Sequence, residues 1–217
     1  MAAPPLAELA HPSHTAVVTS EVQNGVVGAR SALPALAEAA GPMVARLAVL
    51  CGAARSSGAT VVHATAARRA DGAGSNTNAR LFLGVRKSPV ALLPGSFEAE
   101  VVPELGPEPG DLVLDRLHGL NPMAGTDLDP ILRNLGVRTI VVTGVSVNVA
   151  VTNLVMDAVN LGYQAVLPRD AVCGIPAAYA DAVIDGTLAL LATLTTVDDL
   201  VAAWQDPAPD ADQEARP

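Results

Sequence analysis

The sequence predicts an α/β domain: a doubly wound parallel sheet with helices on both faces. Three observations carry that prediction. Short β-branched runs alternate with longer helical stretches along most of the chain. The strand candidates are apolar at nearly every position rather than at every second one, as expected of strands covered on both faces. Glycine, proline and capping residues punctuate the boundaries. A length of 217 residues with half of the positions apolar suits one well-buried domain and leaves little for a second.

Taken in order, Thr15–Ser20 (TAVVTS) reads as the first strand. Pro42–Ser56 reads as a helix with proline in its first turn and Gly58 just past its end. Ala59–Ala64 (ATVVHA) is a second strand and Asp111–Leu117 (DLVLDRL) a third. Thr126 and Asp129, three residues apart, approximate a capping box. With Pro130 they open a helix that runs to Leu135 and is stopped by Gly136. Thr139–Thr143 (TIVVT) is a fourth strand, Asn148–Leu161 a helix, Gln164–Pro168 a fifth strand and Tyr179–Leu194 a helix. A short strand near Thr195–Val197 and a helix over Asp198–Trp204 close the domain. The predicted organisation is a flexible arm over 1–14, the domain over 15–204, and an acidic, proline-broken tail over 205–217. Arg68–Phe97 is an exception, basic and rich in Gly, Ser and Asn; so long an excursion points to a functional loop or an interface element.

Composition excludes several function classes. Thirteen Lys and Arg against 22 Asp and Glu give a net charge of −9, unsuited to gripping nucleic acid or an anionic lipid surface. Aromatics at 2% leave no base-stacking platform. Cys51 and Cys173 cannot build a disulfide scaffold, and no Cys/His spacing suggests zinc. Met1–His14 lacks a basic start before an apolar run, and no uninterrupted apolar run reaches the roughly 18 residues of a membrane span. A cytoplasmic protein acting on a small molecule, without metal or cofactor, is the expectation. A nucleotide-binding oxidoreductase fits poorly, because no Gly-x-Gly-x-x-Gly follows the first strand.

Ligands in open parallel sheets sit beyond the carboxyl ends of the strands. That rule selects Glu21, Gln23 and Asn24 after the first strand, and Arg116, His118 and Asn121 at the end of the third. It also selects the turn Gly144–Ala150, which leads into a helix and contains Ser146 and Val149. An acid, a cation and a helix N-terminus, whose free N–H groups suit a developing oxyanion, would meet at one edge. His63 lies inside an apolar strand and reads as a core residue, and Cys173, with no base nearby, as a small hydrophobe. Arg68, Arg69, Arg80, Arg86 and Lys87 (the only lysine) could line an anion-binding lid; the simpler reading is a solvated or subunit-contacting loop.

Residues 15–24 (TAVVTSEVQN), 112–133 (LVLDRLHGLNPMAGTDLDPILR) and 138–171 (RTIVVTGVSVNVAVTNLVMDAVNLGYQAVLPRDA) resemble the isochorismatase-like, or cysteine hydrolase, superfamily. The resemblance runs from Thr15 to about Trp204 and implies the same three-layer, Rossmann-like sheet. It also implies an Asp, a Lys and a nucleophilic Cys, with a cis peptide before the Cys helping to form an oxyanion hole. In this chain the Asp position holds Glu21, the Cys position holds Ala150, and the Lys position falls to Arg116 or His118.

Those identities constrain the chemistry. Without a thiol at Ala150 no thioester can form there. Glu21 keeps a carboxyl group, moved by about 1.5 Å, where misplacement by about 1 Å can cost 100-fold. Isochorismatases manage without the Cys by protonating a vinyl ether and adding water. The resemblance therefore implies a hydrolase of a small metabolite working by acid–base chemistry, with Glu21, Arg116 and the Ala150 turn at its centre. Gln23, His118, Asn121, Ser146 and Val149 would contact the substrate. The alternative is an inactive relative acting as a ligand-binding or structural protein. Either would assemble as a homodimer or homotetramer.

Overall fold

The computed structural model of the chain describes residues 4–208. Its centre is a seven-stranded parallel sheet: β1 (Thr15–Ser20), β2 (Thr60–Ala66), β3 (Leu112–Arg116), β4 (Thr139–Val145), β5 (Gln164–Pro168), β6 (Val172–Cys173) and β7 (Thr193–Thr195). The strand order is β3-β2-β1-β4-β5-β7, with β6 paired to the end of β4. Every residue of β1 and β4 is buried, which accounts for their apolarity on both faces.

The helices are α1 (Leu6–Leu9), α2 (Pro34–Ser57), α3 (Arg80–Lys87), α4 (Leu128–Asn134), α5 (Thr152–Asn160), α6 (Ala177–Gly186) and α7 (Val197–Gln205). One face of the sheet is covered by α1, α2 and α7, through a core that joins Val17, Val61 and Val141 to Leu47, Leu50, Leu200 and Trp204. The other is covered by α4, α5 and α6, where Val18, Val62 and Val142 meet Leu132, Leu154 and Ile184. Residues on the two faces alternate along each strand, as the period of two requires.

Helix α2 begins eight residues before the predicted start, with Pro34 rather than Pro42 in its first turn. Pro42 lies inside the helix, where Leu36, Ala40, Met43, Leu47, Leu50 and Ala54 form a buried stripe at helical spacing. The buried stripe offsets the proline's lost hydrogen bond. Among the described helices α2 alone is long and apolar enough by length and composition to cross a bilayer; here it is the core helix of the sheet. Gly58 ends it at φ 83°, a left-handed conformation that suits a residue without Cβ.

The segment expected to be a flexible N-terminal arm is, over residues 4–14, docked on the domain. Leu9 and Ala10 are buried; the Leu9 carbonyl accepts from Thr139 Oγ1 at 2.6 Å and the Ala10 carbonyl from Trp204 Nε1 at 2.7 Å. Two apolar side chains and two carbonyls with buried donors outweigh the Ala/Pro composition that suggested mobility. Residues 1–3 and most of the proposed acidic tail, 209–217, lie outside the described residues.

Candidate active site

The strand order reverses between β1 and β4, so the crevice beyond their carboxyl ends is the topological switch point. Ser20 pairs in register with Gly144, and its Oγ donates to the Val145 carbonyl at 3.0 Å. Gly144 sits at φ 94°, and a Cβ there would come within 2.3 Å of the Ser20 carbonyl oxygen, so only glycine lets the strand ends approach this closely. The peptide bond between Val145 and Ser146 is cis. One turn of π-helix follows over Val147–Val151 before α5, with the Ser146 carbonyl accepting from both Val149 and Val151 N–H groups. Such turns concentrate at functional sites. Ala150 is buried on it.

Glu21 follows Ser20 directly. Among the described residues it is the one non-glycine at positive φ, 55°, a conformation worth roughly 1 kcal/mol or more of strain. Its N–H donates to the Ala64 carbonyl at 2.9 Å, which ties it to β2. Its side chain forms an ion pair with Arg116, whose Nη2 donates to Glu21 Oε1. The other arm of that guanidinium, Nη1, donates to the carbonyls of His118 (3.1 Å) and Gly119. The Arg116 side chain is 7% exposed and that of Glu21 23%. Burial raises the Glu21 pKa above the ordinary carboxylate value; the charge and hydrogen bond of Arg116 oppose the rise without cancelling it.

Arg116 and His118 thereby take different positions. The guanidinium reaches Glu21, whereas the His118 ring is exposed and its Nε2 lies 3.2 Å from the Gly125 carbonyl. Gln23 is fully buried and both amide hydrogens are used, on the carbonyls of Ala66 (2.9 Å) and Ala99 (2.7 Å); its Oε1 accepts from Ala66 N–H. It clasps the turn after β1 and has no donor left for a ligand. Asn121 is likewise engaged, donating to Asp157 Oδ2 at 2.6 Å and accepting from Met123 N–H. Ser146 is half-buried and donates to Asn148 Oδ1 at 2.6 Å. Val149 is half-buried, its N–H spent on Ser146.

Three features of this edge escaped sequence reasoning. Ser20, which holds the Val145 carbonyl, signals itself only as the polar last residue of a buried strand. Asn76 reaches out of the Gly-rich segment to accept from Gly119 N–H at 2.8 Å, beside the carbonyls that hold Arg116. The two-residue β6 puts Cys173 in register with Val145. Cys173 packs against the core on the α2 face, and burial raises its thiol pKa. Among the described residues no group of three or more His, Cys, Asp or Glu could hold a metal ion.

The Isochorismatase domain model matches residues 15–199. The chain belongs to the isochorismatase-like hydrolase family. It is 29% identical over 174 residues to "Ureidoacrylate amidohydrolase RutB" of Pseudomonas syringae pv. syringae, covering 74% of this chain and 71% of that one. A cysteine hydrolase from Pseudomonas syringae pv. phaseolicola has the same fold, with a TM-score of 0.81 at 23% identity over 96% of this chain and 100% of that one. An isochorismatase family protein from Desulfovibrio vulgaris aligns with a TM-score of 0.74 at 27% identity, covering 87% and 98%. In this family's fold Glu21 and the Ala150 turn both lie at the carboxyl edge of the sheet, where parallel sheets bind ligands.

Proposed function

We propose that this chain hydrolyses a small metabolite by non-covalent acid–base chemistry, with Glu21 as the group that moves the proton. The observation that carries the reading is a carboxyl whose pKa is raised by burial, held by one guanidinium at the sheet's switch point; the family resemblance puts Ala150 at the nucleophile position of this same edge. A raised pKa keeps an acid protonated closer to neutrality, which is what general-acid catalysis needs.

With a vinyl ether, protonated Glu21 gives its proton to the terminal carbon and water adds to the oxygen-bearing carbon. The Glu21 carboxylate recovers a proton from that water, and the hemiketal collapses to a carbonyl compound and an alcohol. With an amide, the carboxylate form takes a proton from attacking water and passes it to the departing nitrogen. In both cases backbone N–H groups of the turn that leads into Ala150 would polarise the substrate oxygen. Arg116 spends its guanidinium on Glu21 and two carbonyls, so its role is to position Glu21 rather than to grip substrate.

A panel of small vinyl ethers, primary amides and ureido compounds, tested on the wild type and Glu21→Gln, decides the matter. The expected loss in the variant is about 100- to 10,000-fold with its melting temperature little changed; equal turnover in both proteins would remove Glu21 from the mechanism. Saturable binding of panel compounds without turnover would favour a ligand-binding relative instead. Self-association as a dimer or tetramer belongs to the same proposal, supported by exposed apolar side chains such as Leu81 and Val85 on α3 and Met156 on α5; light scattering on the purified protein measures it.

A further inference from the structure

Arg68 lies two residues beyond the end of β2, on the same sheet edge as Glu21. Its backbone is pinned: Ala67 N–H donates to the Arg116 carbonyl at 2.9 Å and Arg68 N–H to the Leu92 carbonyl at 2.8 Å. Its side chain is half-buried, its Nε is enclosed, and neither that nitrogen nor any other side-chain atom has an acceptor among the described residues. The contrast with other arginines is sharp. Arg30, Arg46, Arg55, Arg69, Arg116, Arg133 and Arg169 each face a carboxylate.

Ser75 repeats the pattern seven residues on, with an enclosed Oγ that has no partner among the described residues. Its neighbour Asn76 accepts from Gly119 N–H, and the Gly119 carbonyl accepts from Arg116. One loop, 68–76, therefore starts beside the Arg116 backbone and returns to the strap around its guanidinium, carrying two enclosed donors that none of the described residues satisfies. A half-buried cation and a buried hydroxyl without acceptors are costly, and a ligand oxyanion that accepts from both removes the cost. The surrounding segment, Arg68–Phe97, has five basic residues and one acidic in a chain of net charge −9, so it attracts anions locally.

We propose that Arg68 and Ser75 anchor a carboxylate of the substrate, at the end of the molecule remote from the bond that is broken. The guanidinium fork fits the two carboxylate oxygens and the serine hydroxyl supplies a further donor. Arg116, locked to Glu21, is free of that task. The assignment rests on the reading that the crevice at Glu21 holds substrate, and it selects anionic metabolites over neutral ones.

The probes are monocarboxylates of two to five carbons, each paired with its uncharged primary amide, and binding is read by ligand-observed NMR with no turnover involved. The wild type should prefer at least one carboxylate over its amide by about tenfold or more. Arg68→Gln should abolish that preference, Arg68→Lys should keep part of it, Ser75→Ala should reduce it, and Glu21→Gln should leave it in place. A wild type indifferent to the charge on every pair overturns the proposal. So does a preference that survives Arg68→Gln in a protein with an unchanged melting temperature. Since Glu21→Gln is scored here by binding alone, failure of the hydrolytic mechanism and failure of the anchor give different results.

Discussion

Two carboxylate–guanidinium pairs in this molecule, both largely removed from water, have opposite character. Between α2 and the sheet, Asp111 accepts from Arg55 twice (Nη2 at 2.7 Å and Nε at 3.2 Å), from Glu108 N–H at 2.8 Å, and lies 3.4 Å from His63 Nε2. Burial works to raise its pKa, but that set of donors, led by Arg55, wins and holds it below the ordinary carboxylate value. At the strand ends Glu21 has one donor side chain, Arg116, and there burial wins, so the pKa goes up. The same two forces act at both places, and the number of hydrogen bonds to the ionised form decides the sign. A carboxylate surrounded by donors stays charged and holds structure. One that is under-supplied stays ready to accept a proton.

The largest expected effect tests the structural half of this contrast. Asp111→Asn removes the charge facing Arg55, whose side chain is 19% exposed. Arg55 keeps the exposed Glu108 carboxylate at 3.3 Å and the Leu105 carbonyl, but losing the buried partner of a largely buried cation costs about 3 kcal/mol. For a domain of this size that lowers the melting temperature by roughly 6–12 °C, while activity per folded molecule stays at the wild-type level. Glu21→Gln should show the reverse, activity lost and the melting temperature within a few degrees, since Arg116 keeps the His118 and Gly119 carbonyls and burial already disfavours the charge on Glu21. Calorimetry and turnover on the two variants side by side measure both; a melting temperature equally depressed in each would erase the distinction between the pairs.

The fold was legible in the sequence where burial on both faces left a continuous apolar run, as in Thr15–Ser20 and Thr139–Thr143. Glu21 was legible for the same reason, being the first charged residue after such a run. What stayed hidden depends on contacts distant along the chain. The partner of Glu21 lies 95 positions away, and nothing local separates Arg116 from His118. Helix α3 has no buried residue, so no core-facing stripe marked it inside the Gly-rich segment. Gln23 read as a pocket polar because a glutamine that clasps three backbone groups looks, in sequence, like one that faces a ligand.

An intermediate effect concerns pH. Asp111 and His63 both have lowered pKa values, His63 because burial disfavours its charged form more than Asp111 favours it. Each contributes stability that is present above its ordinary value, 6.5 for His63 and 3.8 for Asp111, and is lost as pH falls below it. Glu21 has the opposite sign: its contribution is full below the ordinary 4.5 and is lost as pH rises through its raised pKa. Urea midpoints taken across about pH 4–8 should fall on the acid side in wild type and Glu21→Gln alike. Only Glu21→Gln should lose the decline on the rising side. An acid-side loss that vanishes in Glu21→Gln would mean the two regions are not independent.

The smallest effect probes how completely the interior pair is satisfied. An ionised Asp111 can only accept, so His63 carries its proton on Nε2, and its bare Nδ1 accepts from the Thr19 hydroxyl 2.8 Å away. Thr19→Val keeps the shape and removes that donor, leaving a buried nitrogen lone pair with nothing to receive. The cost is about 1 kcal/mol, or roughly 2–4 °C in melting temperature, with turnover unchanged. Since Thr19 stands on the same strand as Glu21, two residues before it, the outcome separates position from chemistry. A change in the pH profile of activity in this variant would show that the interior network reaches the proton donor through β1, and that the two carboxylates form one system.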